Sequence, residues 1–103
     1  MRNDVEITLI TETFQEDAYG IPQKIGETRT DVYAGIRSVS ASEFFNAGRE
    51  GLQPEWQFTM FLDDYDGQKI VEYNGRQYEV YRTYYGRSDR VELYVQERGA
   101  TNG

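Results

Sequence analysis

Cysteine and histidine are both absent from this chain of 103 residues, and proline occurs only twice. Without cysteine there is no disulfide framework, no thiolate nucleophile and no cysteine-based zinc site. Without histidine the commonest acid–base side chain is missing too. Small secreted domains are usually disulfide-stapled, so synthesis in a reducing cytoplasm is expected. Long apolar runs are also lacking. The longest nearly apolar stretch, Phe58 to Leu62, is interrupted by Thr59 and is far too short to cross a bilayer. Met1-Arg2-Asn3-Asp4-Val5 leads into alternating residues and not into the apolar core of a signal peptide, so no membrane partner is expected. Positive charge is scarce: 11 Lys and Arg stand against 18 Asp and Glu, a net charge of −7. Nucleic-acid binders carry a basic footprint, and this chain as a whole would be repelled by a duplex.

The length is that of one domain, and with 38% hydrophobic and 15% aromatic residues a small packed core can form. Residues 1–98 are expected to form that single β-barrel domain, with 99–103 a disordered tail. The dominant period is two. Val5, Ile7 and Leu9 share one face of a first strand, and Thr28, Thr30, Val32, Ala34 and Ile36 share one face of a second. Between them FQEDAYGIPQKIGE, with Gly20, Pro22 and Gly26, breaks the alternation and predicts a long loop or flap over residues 14–27.

SASEFFNAGREGLQP carries the one helical signal. Ser40 and Glu43 have the spacing of a capping box. Ala41, Phe44, Ala47 and Gly48 fall on one face with Phe45 beside them. Gly51, Leu52 and Pro54 supply a stop. A third strand puts Trp56, Phe58, Met60 and Leu62 on one side, with Gln57, Thr59 and Phe61 on the other. After the acidic turn DDYDG comes KIVEY, and then Asn74-Gly75, the strongest short hairpin signal. That turn sets Tyr73 opposite Arg76, Glu72 opposite Gln77 and Val71 opposite Tyr78. A fifth strand places Tyr78, Val80, Arg82 and Tyr84 on one face. Gly86-Arg87-Ser88-Asp89 turns into a sixth, where Val91, Leu93 and Val95 alternate with Glu92, Tyr94 and Gln96. Six short strands and one helix predict a mainly β fold, a small barrel or sandwich-like barrel that closes to protect its edges.

Catalytic patterns are weak. Asp63, Asp64 and Asp66 cluster where a β-turn favours aspartate, and the full oxygen-rich loop of a calcium site is missing. Ser40 and Ser42 have no histidine to activate them and suit the start of a helix. No enzyme activity, cofactor or metal is expected. YEVYRTYYGRSDRVELY is the best nucleic-acid candidate, because aromatic side chains stack bases and arginines grip phosphates. However, Arg82, Arg87 and Arg90 are balanced there by Glu79, Asp89 and Glu92. Tyrosine is also a good strand former and a common interface residue, so core plus protein contact is the favoured reading. Tyr78 and Tyr84 are assigned to the core. Tyr33, Phe61, Tyr81, Tyr85 and Tyr94 are assigned to a subunit interface in a symmetric assembly.

The ordered segments DVYAGIRSVSASEFFNAGREGLQPEWQFTMFL, IVEYNGRQYEVYRTY and DRVELYVQE together resemble the head-closure family of long-tailed bacteriophages, also called head–tail adaptor, joining or stopper proteins. The shared features are a strand ending VYA-hydrophobic, a helix after SVS-x-x-E and a Y-x-G-x-x-Y-x-V hairpin, here Tyr73, Gly75, Tyr78 and Val80. An acidic last strand, Asp89 to Glu97, completes them. The likeness runs from about Asp17 to Glu97 and rests on order and spacing. It implies a virion protein, a small barrel subunit of a dodecameric ring. That ring lies beneath the portal and its adaptor, above a tail-terminator or tail protein, and double-stranded DNA passes through it without specific binding. In some members of that family a loop projects into the channel and closes it. By position that loop is FQEDAYGIPQKIGE, with Glu16, Asp17, Tyr19, Gly20, Ile21, Pro22, Lys24 and Glu27 as its candidate residues. Glu16, Asp17 and Glu27 would line the lumen and repel the duplex. The competing functions are a tail-terminator or tail-completion protein and, from another class, a barrel binding single-stranded nucleic acid.

Overall fold

Alternation at period two becomes six antiparallel strands in the computed structural model of the chain. Residues 5–87 and 89–99 are described, with Arg87 described by its backbone alone. Ser88 of the expected last turn and residues 100–103 of the expected tail lie outside them. The elements are β1 (Val5–Glu16), β2 (Pro22–Arg37), α1 (Ala41–Gly48), β3 (Pro54–Phe61), a 3₁₀ turn (Leu62–Asp64), β4 (Ile70–Tyr73), β5 (Arg76–Arg87) and β6 (Arg90–Glu97). Strand order is β1-β2-β3-β6-β5-β4, and β4 returns to β1, so one sheet closes into the expected six-stranded barrel.

The core follows from the alternation. Ile7, Leu9, Val32, Ala34, Phe58, Met60, Val71, Tyr78, Val91, Leu93 and Val95 form one buried cluster drawn from all six strands. Removing such a side chain from water contributes about 1.5–3 kcal/mol each. Tyr73 meets Phe58 edge to face at 5.7 Å, and Trp56 Nε1 donates to the Tyr78 hydroxyl at 3.4 Å. Asn74 (φ 55°) and Gly75 (φ 80°) form the tight turn between β4 and β5. The register it sets, Tyr73↔Arg76, Glu72↔Gln77 and Val71↔Tyr78, is the one expected.

Residues 14–27 are not a long loop. β1 and β2 continue through them as a paired ribbon, from Val5↔Ala34 out to Glu16↔Pro22, with a tight turn at 17–21. Gly26 faces Thr13 within the ladder, and a bulge between Thr13 and Phe14 leaves Ile25 outside the pairing. Pro22 is tolerated because it begins a strand whose other edge is unpaired here. The glycine and proline signals therefore mark a bulge, a turn and a strand start.

Two further expectations are corrected. The alternation of β5 breaks at a bulge between Val80 and Arg82, so that Arg82 pairs with Tyr94 and Thr83 with Leu93. Tyr84 consequently lies opposite Glu92, half exposed on the outer face and not in the core, its ring folded back over Gly86. In α1, Ser40 Oγ does accept from Glu43 N, at 3.2 Å, and the chain after the helix turns at Gly51 (φ 81°). The Glu43 carboxylate, however, does not return to the cap, and of the expected apolar face only Ala47 is buried. Phe44 and Phe45 face solvent, because an eight-residue helix touching mainly the edge of β3 has room to bury only one small residue.

Candidate functional site: a projecting arm and an aromatic outer face

The ribbon leaves the barrel where its seams end. β1 pairs with β4 only through Thr8↔Glu72, Leu9↔Val71 and Ile10↔Ile70, and β2 with β3 only from Gly35↔Thr59 to Arg37↔Gln57. Beyond these positions, from Thr11 round to Asp31, the two strands pair with each other alone. An isolated two-stranded ribbon is marginal in water, so other forces must hold the arm.

Side-chain ion pairs supply them. Lys24 Nζ reaches Glu27 Oε1 at 2.7 Å and Glu12 Oε2 at 3.0 Å. Arg29 joins Glu27 Oε2 at 2.9 Å to Glu72 Oε2 at 2.6 Å. Gln77 Nε2 donates to Glu72 Oε1 at 3.3 Å, and Arg98 donates to Gln77 Oε1 at 2.7 Å and to Glu12 Oε1 at 2.9 Å. The circuit therefore closes, Glu12–Lys24–Glu27–Arg29–Glu72–Gln77–Arg98–Glu12, with three cations against three carboxylates. It ties the arm to β4, β5 and the residue after β6. Lys24, and then Arg98, hold the Glu12 carboxyl below its ordinary range, and Lys24 and Arg29 do the same for Glu27. The three cations stay 41–43% exposed, so salt can screen them.

At the tip, Asp17 organises the turn. Its Oδ1 accepts from Tyr19 N at 2.8 Å and Ile21 N at 3.0 Å, and its Oδ2 from Gln23 Nε2 at 3.3 Å. The backbone donors of Ile21 and Tyr19 hold its pKa below the ordinary value. Gly20 takes φ 77°, which Cβ-bearing residues rarely adopt. Tyr19 is 87% exposed, and Phe14, Ile21 and Ile25 are more than half exposed. The eight residues singled out for a channel loop thus share one arm, but with unequal roles. Asp17 and Gly20 shape the turn, Glu16 and Pro22 face each other across it, and Tyr19 and Ile21 are presented outward. Lys24 and Glu27 belong to the ion-pair circuit, so Glu27 is neutralised and is not a free repelling charge.

The five aromatic residues assigned to an interface separate into two groups. Tyr33, Phe61 and Tyr85 are exposed. The β2–β3 ladder ends at Gly35↔Thr59, and two residues further along that register stand Tyr33 and Phe61, while Arg90 Cζ lies 3.8 Å from the Phe61 ring centroid. Tyr81 and Tyr94 are instead covered by their own chain. Tyr81 Oη donates to Glu43 Oε2 at 2.7 Å, Arg82 pairs with the other Glu43 oxygen, and Arg82 Cζ stacks 4.2 Å from the Tyr94 centroid. The β5 bulge makes this possible by turning Tyr81 and Arg82 to the same outer side, toward the helix. Burial, and then the Glu43 carboxylate, raise the Tyr81 phenol strongly. Burial, and then Glu92, push Tyr94 up to about 12. Tyr94 is only 9% exposed, so it needs no neighbouring subunit to cover it.

Asp63 and Asp64 lie in the 3₁₀ turn, and among the described residues no three acidic side chains converge as a metal-holding set. Phe44, Phe45 and the Glu43 clamp were missed by sequence reasoning. A capping-box glutamate near tyrosines and arginines was the one available hint.

The chain matches no known family model and no curated protein.

Proposed function

We propose that this chain is a non-enzymatic structural subunit of a phage head–tail connector, a head-closure protein that assembles as a ring between portal or adaptor and tail. The order of its sequence segments supports this reading, and the arm is the observation that carries it. A two-stranded ribbon with an exposed Tyr19 and an acidic tip leaves a closed barrel at the position where the resemblance puts the channel loop. In such a ring the barrels form the wall, the exposed Tyr33, Phe61 and Tyr85 serve subunit contacts, and the arms reach toward the channel. Glu16 and Asp17 discourage phosphate contacts that passing DNA would have to break. Part of the aromatic–arginine surface suited to single-stranded nucleic acid is engaged within the subunit, since Glu43 holds both Tyr81 and Arg82, while Tyr84 and Tyr85 stay exposed.

Tracing the chain in images of purified virions tests the proposal. Particles lacking it are expected to fill, leak DNA and fail to join tails. Particles whose arm is replaced by a short Asn-Gly turn are expected to join tails but retain DNA poorly. Stable filled heads joined to normal tails without the chain would refute the assignment. Tight, salt-sensitive gel shifts with single-stranded DNA would favour the nucleic-acid alternative.

A further inference from the structure

Beside the helix, on the outer side of the barrel, lies a groove of about 420 Å³ lined by Phe44, Leu52, Gln53, Pro54, Glu55 and Glu97. Its walls are fixed before any partner arrives. Gln53 N donates to Oε1 of the buried Gln96 at 2.9 Å, Leu52 N to the Ala47 carbonyl at 3.1 Å, and Pro54 is buried. Glu43 pins the helix through Tyr81 and Arg82. On this rigid support Phe44 and Phe45 stay 52% and 67% exposed, packed edge to face at 6.0 Å. Exposed aromatic side chains on a rigid element beside an apolar groove mark an interaction surface, because docking there costs little ordering entropy.

The rim says what fits. Glu55 and Glu97 face the groove, and neither has an ion pair or side-chain hydrogen bond among the described residues. Arg98, next to Glu97 in the chain, is committed to Glu12 and Gln77. We propose that the groove docks a segment of a second protein in which an apolar side chain, seated against Phe44, Leu52 and Pro54, is flanked by Lys or Arg that pair with Glu55 and Glu97. Charge disfavours a second copy of this chain as the occupant. The exposed apolar residues of the arm tip adjoin Glu16 and Asp17, and Phe61 shares its hollow with Asp63, Asp64 and Asp89, which outnumber the one cation, Arg90, stacked on its ring. Either would bring carboxylates onto carboxylates, from a chain whose net charge is already −7. Tyr84 and Tyr85, which precede Arg87, are the exception that the test must separate. The inference rests on the reading that the chain works through protein contacts, and it names the chemistry of one of them.

The test is an NMR titration of the whole chain with two synthetic peptides, one Lys-Lys-Leu-Trp-Leu-Lys-Arg, the other with glutamate at every basic position. The basic peptide is expected to shift the amides of Phe44, Leu52, Gln53, Glu55 and Glu97, and its acidic twin to shift none of them. Phe44→Ala, and separately the pair Glu55→Gln with Glu97→Gln, should each weaken binding by about tenfold, and added salt should weaken it further. All three positions lie at the surface, so the variants should fold, which unchanged spectra elsewhere would verify. Equal shifts from both peptides, or none from either, would overturn the proposal. So would concentration-dependent shifts that join the groove to Tyr84 and Tyr85 in the absence of peptide. Peptide docking by a chain that proves absent from virions would leave the groove standing and sink the connector reading. A virion component with a silent groove would do the reverse.

Discussion

The barrel and the arm are made from the same two strands, yet different forces hold them. In the barrel, β1 and β2 turn Ile7, Leu9, Val32 and Ala34 inward onto a cluster fed by every other strand. A few residues further on, the ladder continues but the core has ended, and the same strands depend on Glu12, Lys24, Glu27, Arg29 and Arg98. Hydrophobic burial is little changed by the sub-molar salt that screens charges, and little by pH, whereas half-exposed ion pairs respond to both. One continuous ribbon therefore has a rigid base and an adjustable end.

The largest test of that contrast is truncation at each end. Phe58→Ala should cost about 3–5 kcal/mol in denaturant unfolding, while Phe14→Ala on the arm should change stability by less than about 0.5 kcal/mol. Comparable losses would show that the arm shares the core. Next comes the clamp between helix and barrel: Glu43→Ala leaves the Tyr81 hydroxyl and Arg82 without their acceptor and should cost about 1–3 kcal/mol. Ultraviolet titration should show one tyrosine ionising closer to its ordinary range in that variant, and an unchanged titration would deny the contact.

Removing the buried Thr59 hydroxyl, which has no hydrogen-bond partner among the described residues, is a smaller change. Thr59→Val should leave stability unaltered or raise it by about 1 kcal/mol, and a clear loss would reveal a hidden partner. Acid should then distinguish the two regions. Glu12, Glu27 and Asp17 have depressed folded values, so their contribution is present above the ordinary 4.5 for glutamate and 3.8 for aspartate. It is lost as pH falls through the lowered values. Amide protection, taken relative to the intrinsic exchange rate at each pH, should therefore fall in the arm across that acidic window before it does so in β3 and β6. The smallest expected effect is that of salt. Raising ionic strength, or Arg98→Ala at low salt, should loosen arm amides selectively, and equal loosening of the barrel would remove the distinction.

How much of this was legible depended on distance along the chain. Asn74-Gly75 announced its hairpin because turn, register and pairing lie within a few residues. Ser40 likewise announced the helix start. The arm was misread because Gly20, Pro22 and Gly26 are loop residues on average, and only pairing with β1 shows that each occupies a place a ribbon permits. Tyr84 was misplaced because a strict period of two cannot foresee the bulge at Tyr81, and one extra residue turns every later side chain to the other face. Glu43 was assigned to a cap because its true partners lie 38 and 39 residues away.

What the sequence alone determined is the set of local choices: alternating strands, a capped short helix, a tight turn and an acidic balance without cysteine or histidine. Each is written in neighbouring residues, through backbone preference and side-chain period. Tertiary structure alone decided the order of the strands around the barrel, the circuit of ion pairs that steadies the arm, and which aromatic residues remain on the surface. Those outcomes depend on which distant side chains the ring of strands brings within reach of one another, and no local period encodes that.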